Sequence, residues 1–238
     1  VEGSVKNGIP RETVETIFDD LEAFARYGFP KGHAADYAVI TCQTAYLKAH
    51  YPIEYMTALM TVERHNTEKI GLLVAECRKL GIEVQPPDIN ASDLDFTIEE
   101  GENGKPAIRF GLAAVKNVGE GPVHVIMEAR AEGGPFKDLD DFCRRVDLRQ
   151  VNRRALESFI KVGTLRRFGT RTQLLGAIDY LMSHSASIHK AKEVGQMSLF
   201  GAATGVTFSA EPAILRRLPD TSHVSRKQSV AWEKELVG

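Results

Sequence analysis

Adjacent prolines at 86 and 87 divide this 238-residue chain into two textures, because a proline ring blocks the backbone hydrogen bonding of a helix interior. Ahead of them the apolar residues recur three and four apart, the spacing of one helix face. Val14, Ile17, Phe18, Leu21, Phe24 and Ala25 form such a stripe after Pro10, and Gly28 ends it. A second helix is expected from about Ala34 to His50. Pro52 opens a third through Met56, Leu59 and Met60. Asn66 is a cap for a fourth, whose stripe is Ile70, Leu73, Val74, Cys77 and Leu80 and whose stop is Gly81. Beyond Ile82, Asp95–Ile98 and Ala107–Phe110 read as short strands joined by a turn at Glu102–Lys105. Helical spacing returns from about Leu112 to Tyr180, and from Ser183 the chain turns small and polar, as a linker does.

The expected fold class is therefore mainly α, with a short β-hairpin connector and an extended linker. The domains are expected at 1–81, 82–111, 112–182 and 183–238. With 43% hydrophobic and 26% charged residues the composition is that of a globular protein, and no apolar run reaches membrane-spanning length. Cys42, Cys77 and Cys143 lie far apart without Cys-x-x-Cys pairing, which fits reduced thiols and a cytoplasmic location. The chain opens on Val1 and stops on Gly238 without a closing signal, so a piece of something longer is expected.

A net charge of −2 does not suggest a general nucleic-acid binder, but the charge is unevenly spread. Ile82–Glu102 holds seven acids and no base, whereas Arg145–Arg171 holds eight bases and two acids, a local surplus of six. Such a surplus attracts phosphate even on a neutral protein, although a solvated helix face would look the same. In Val115-Lys116-Asn117-Val118-Gly119-Glu120-Gly121-Pro122-Val123 an apolar helix end meets Gly-x-Gly and then a new helix. The two glycines are expected to let the backbone turn sharply and to leave the amides unobstructed, and Pro122 sets the first turn, so free N–H groups and a positive helix end face outward. That arrangement holds a phosphate without reading a base, and it resembles the helix-hairpin-helix motif of DNA-repair and replication proteins. A second, glycine-poor hairpin is expected at Val146–Asn152, followed by a helix through Leu156, Phe159 and Ile160 inside the basic segment. Lys116, Val118, Gly119, Glu120, Gly121, Arg149, Asn152, Arg153 and Arg154 are thus the expected duplex contacts.

Catalytic signatures are weak. Asp93-x-Asp95 and Asp138-x-Asp140-Asp141 have the spacing of metal-holding carboxylates, but the first lies in the acidic connector and the second suits a helix cap. No catalytic residue, metal site or resident cofactor is expected in this segment. Before the second helix, Tyr27-Gly28-Phe29-Pro30-Lys31-Gly32-His33-Ala34-Ala35-Asp36-Tyr37 sets a lysine and a histidine between glycines. Lysine and histidine beside a helix N-terminus can hold a triphosphate, but chemistry alone favours a polar helix cap.

That same string, with Gln43–Pro52, resembles the fingers of the bacterial DNA polymerase III alpha subunit. Asn66–Lys69, Gly81–Asp88, Gly111–Gly121 and Asn152–Leu156 match in the same order, so the resemblance covers essentially the whole chain. It implies a tandem helix-hairpin-helix region following a fingers portion, downstream of a palm whose aspartates hold Mg²⁺; the segment alone should not polymerise. It places Lys31, His33 and Tyr37 near the phosphates of the incoming dNTP, with Pro30 and Gly32 standing where the family usually has Asn and Ser. Gln196-Met197-Ser198-Leu199-Phe200 looks like the motif that binds the sliding clamp, and two large apolar side chains in a polar linker need such a partner. Implied partners are primer-template DNA, dNTP, the clamp and other holoenzyme subunits, with no membrane. The error-prone relative of the family is an alternative, disfavoured by the clamp string; a non-catalytic repair module explains Gly119–Gly121 but not the Lys31–His33 string.

Overall fold

The computed structural model describes residues 1–27, 31–101, 104–193 and 224–238. The turn at 102–103, the three residues before Lys31 and Gln196–Phe200 lie outside the described residues. The chain divides into two compact units, Val1–Tyr51 and Pro52–Gly238.

The first unit holds α1 (Glu2–Lys6), α2 (Arg11–Tyr27) and α3 (Lys31–His50). Its predicted stripe forms a helix, but the stripe stays in the open. Ile17, Phe18, Leu21 and Phe24 are 53–66% exposed, and Val14 is the one buried hydrophobic among the unit's described residues. Helix α3 starts at Lys31, earlier than the first apolar residue suggests. Lys31 and His33 therefore lie in its first turn instead of in a loop ahead of it.

The second unit has a continuous core. It begins with α4 (Pro52–Val62) and α5 (Thr67–Lys79). The Asn66 side chain accepts from the Lys69 amide at 3.1 Å, and Gly81 at φ 73° ends the helix run, both as expected. A three-stranded sheet follows in the order β1 (Glu83–Gln85), β3 (Pro106–Arg109), β2 (Thr97–Glu100). The antiparallel β2–β3 pair is the expected hairpin, with Ile98 opposite Ile108. The parallel β1–β3 pair, Val84 opposite Ile108, was not foreseen, because three residues carry no readable alternation. Arg109 locks the sheet by donating to both Glu99 oxygens at 2.9 and 2.5 Å and to the Pro86 carbonyl at 2.6 Å.

A 3₁₀ turn (Leu112–Ala114) precedes α6 (Glu120–Gly133), α7 (Leu139–Arg145), α8 (Leu148–Val151), α9 (Arg153–Val162), α10 (Arg171–Glu193) and α11 (Arg226–Leu236). Phe136, Phe142, Leu148, Phe159, Ile126 and Leu112 are among its fully buried side chains. Their cluster extends to Met56, Met60 and Ile70 of α4 and α5. The expected linker from Ser183 is corrected in two places. Helix α10 continues to Glu193, because Ser185 is buried, accepts from the Leu148 amide at 3.0 Å and donates to the Val146 carbonyl at 2.9 Å. The last stretch folds as α11, capped by Ser225, with Leu236 in the core and Glu233 paired to Arg171 at 2.6 Å. Among the described residues no helix is long and apolar enough to cross a membrane.

Candidate nucleic-acid interface

Two helix N-termini, at α6 and α9, make up the candidate interface. The segment before α6 is not the helix end expected. Leu112, Ala113, Ala114 and Val115 are all buried, so they have no amphipathic face, and only a 3₁₀ turn forms before Val118. The chain then reverses at Asn117, which adopts φ 70°. Gly119 follows at φ −90° and ψ 168°, a backbone any residue can take, and no side chain caps α6. A Cβ added to Gly119 would meet nothing closer than a Pro122 carbon at 3.8 Å, and one added to Gly121 would meet nothing within 4 Å. The sharp turn expected of the glycines falls on Asn117 instead, and neither glycine is demanded by the fold. Their absent side chains leave an exposed, uncapped helix end open to close approach from outside.

The second hairpin has the same logic with a different residue. Asp147 caps α8 by accepting from the Arg149 amide at 3.0 Å, and Asn152 ends α8 and begins α9. Asn152 sits at φ 61° and ψ 156°, and its side chain accepts from the Ala155 amide at 3.0 Å. The two hairpins are tied together, because Asn117 Nδ2 donates to Ser158 Oγ of α9 at 3.2 Å. Sequence reasoning did not single out Asn117. Its signal was the parallel between Lys116-Asn117 and Val151-Asn152, each an asparagine at the reversal ahead of a helix.

The electrostatics differ from the simple surplus. Glu120 accepts from Arg64, which also holds Asp95, so Glu120 offers the site its backbone and not its carboxylate. Arg149 is paired with Asp147 at 2.7 Å and Glu193 at 2.5 Å. Hydrogen bonding to that guanidinium holds the Asp147 carboxyl down at about 2, against an ordinary 3.8, and lowers Glu193 as well. Arg153 is paired with Asp179, Lys161 with Glu157 and Arg171 with Glu233. Arg145 is inward, donating to the Ala129 and Gly134 carbonyls at 2.5 and 2.7 Å and lying over Phe136. Lys116, Arg154, Arg166 and Arg167 make no ion pair among the described residues and are exposed.

The other candidates resolve as follows. Asp138 caps α7 by accepting from the Asp141 amide at 2.8 Å. Asp140 meets Arg144 and His184, Asp141 meets Arg145, and Asp93 meets Arg130 at 2.6 Å. No cluster of three metal-ligating side chains occurs among the described residues. His33 and Tyr37 stack edge to face with ring centroids 4.3 Å apart, on an exposed face of α3 that starts with Lys31.

Residues 81–174, which span the sheet and both hairpins, match the family described as the helix-hairpin-helix motif. The whole chain is similar to DNA polymerase III subunit alpha. It is 42% identical to that of Thermus aquaticus and 46% identical to that of Vibrio cholerae over all of its length, and 44% identical to that of Escherichia coli K12 over 99%. It covers 18%, 20% and 19% of those proteins, so it spans about a fifth of the relatives it matches. The resemblance drawn from the fingers and hairpin strings thus holds along the whole chain.

Proposed function

We propose that this chain is the stretch of a bacterial replicative DNA polymerase that carries the back of the fingers into a duplex-gripping region and on to a clamp-binding segment. The parent performs template-directed nucleotidyl transfer with Mg²⁺ in a palm that this stretch lacks, so the stretch alone is catalytically inert. The reading is carried by the pair of helix N-termini held together through Asn117 and Ser158, one of them left bare by two glycines the fold does not require. Two such ends bind successive phosphates of a duplex without regard to sequence. Lys116 and Arg154, exposed beside them, add charge.

In the same reading 1–81 is the fingers portion, 82–111 the connector and 112–182 the hairpin region, which α10 prolongs to Glu193. Lys31, His33 and Tyr37 face the phosphates of the incoming dNTP, and Gln196–Phe200 dock on the sliding clamp in the cytoplasm. The position of Lys31 and His33 in the first turn of α3 supports the nucleotide contact, since anions are favoured at a helix N-terminus.

The test is binding of the chain to blunt duplexes of unrelated sequence as salt is varied. With about two phosphates neutralised, log K falls with log salt at a slope of about −2, alike for every sequence. Arg154→Ala flattens the slope by about one unit. Sequence-dependent binding, or none at low salt, would end the proposal.

A further inference from the structure

At the opposite end of α9 from Asn152, a groove of about 1010 Å³ lies between β1, the α9–α10 loop and α11. Its size sits at the top of the ordinary range for small-molecule sites, roughly 300–1,000 Å³. Its apolar lining includes the partly exposed Val84 and Phe168, with Phe110 and Val162 buried behind them. Its charged lining includes Arg166, Arg167 and Arg171. Arg166 and Arg167 have no ion pair among the described residues, although they belong to the segment whose other arginines are mostly paired internally. Arg171 is incompletely satisfied: its Nη2 donates to Glu233 at 2.6 Å, while its Nε is buried and has no acceptor.

We propose that this groove takes an unpaired nucleotide of a single-stranded segment, with its phosphodiester at Arg166 and Arg167 and its base against Val84 and Phe168. A duplex does not suit the site. Its bases are already stacked and gain nothing from Phe168 or Val84, and a rigid double helix cannot enter a groove of this volume. An isolated phosphate would have no use for the apolar lining. A strand with a free base uses both the apolar and the charged lining, since stacking on an aromatic ring and charge along the backbone are the two sources of single-strand affinity. The proposal extends the duplex-binding reading to the strand that leaves the duplex.

The experiment compares three probes on the full chain by fluorescence anisotropy: a blunt duplex, the same duplex with an oligo-dT overhang, and oligo-dT alone. The overhang should tighten binding about fivefold to tenfold. Arg166→Ala with Arg167→Ala should remove that gain and flatten the oligo-dT salt slope by about 1.4 units, at about 0.7 per phosphate contact on a single strand. Blunt-duplex affinity should stay unchanged, and both side chains are exposed, so the fold should tolerate the change. No gain from the overhang, or equal weakening of blunt and overhung duplex by the double variant, overturns the proposal. If blunt duplex fails to bind while oligo-dT binds through Arg166 and Arg167, the duplex reading falls and the groove stands.

Discussion

Asn152 holds a backbone conformation, φ 61° with ψ 156°, that costs a side-chain-bearing residue of order 1–3 kcal/mol. It also caps α9 through Ala155. The two facts pull in opposite directions under substitution. Asn152→Ala keeps the strain and loses the cap, and should destabilise by about 1 kcal/mol, the usual cost of replacing an asparagine cap by alanine. Asn152→Gly relieves the strain and loses only a few tenths as a cap, so it should be neutral or stabilising. Urea denaturation of the two variants decides between them. Next to it, Asp147 is held at about 2 by Arg149, so its contribution is present above pH 4 and is lost as the pH falls toward 2. Asp147→Asn should therefore lower the melting temperature at pH 7, and the gap to the parent should close between pH 4 and pH 2. The cysteines separate by burial. Burial, with Asp140 and Asp138 nearby, pushes the Cys143 thiol up to about 12, and Cys77 is buried too, whereas Cys42 is exposed. A thiol titration with a disulfide reagent at pH 8 should count one fast group in the folded chain and three once it is unfolded.

At the scale of the element, local chemistry was readable and distant pairing was not. Asn66 and Asp138 as caps, Gly81 as a stop and the β2–β3 hairpin all follow from residues a few positions apart. The parallel strand β1 depends on a partner more than twenty residues away, and α10 outruns its expected end because one serine is buried against α8. The positive-φ reversals at Asn117 and Asn152 were not read as such, whereas at the candidate interface the bare helix end at Gly119–Gly121 was legible. The fate of the basic segment was not, since Glu193, Asp179 and Glu233 sit on elements that the sequence gives no reason to bring near Arg149, Arg153 and Arg171. Helix α11 offers a direct probe of such a distant contact. Trp232 is the one tryptophan of the chain, and Lys161 Nζ of α9 lies 5.6 Å from its ring centroid. Leu236→Ala leaves a cavity where a side chain was 3% exposed, a change that costs about 2–5 kcal/mol in a well-packed core. Tryptophan emission should shift to the red while far-ultraviolet circular dichroism keeps most of its helix.

The molecule as a whole is unevenly secured. Pro52–Gly238 carries the continuous core, whereas the described residues of Val1–Tyr51 bury Val14 alone among their hydrophobics. Limited proteolysis should trim the first unit early and leave a resistant product beginning near Pro52, and amide exchange should be fast in α2 and α3 and slow in α9 and α10. Equal resistance across residue 52 would show that the first unit is secured by something other than its own packing. The internally paired arginines carry a further consequence for any anion that binds this unit. Arg149 and Arg153 behave like sites of an ion exchanger already loaded with counter-anions, namely the carboxylates of Asp147, Glu193 and Asp179. When such an arginine swaps its carboxylate for a DNA phosphate, the DNA sheds a cation and the abandoned carboxylate takes one up. The exchange leaves the tally of released ions almost unchanged. The salt slope then counts only cations that were free beforehand, so Arg153→Ala can weaken binding while the slope stays where it was.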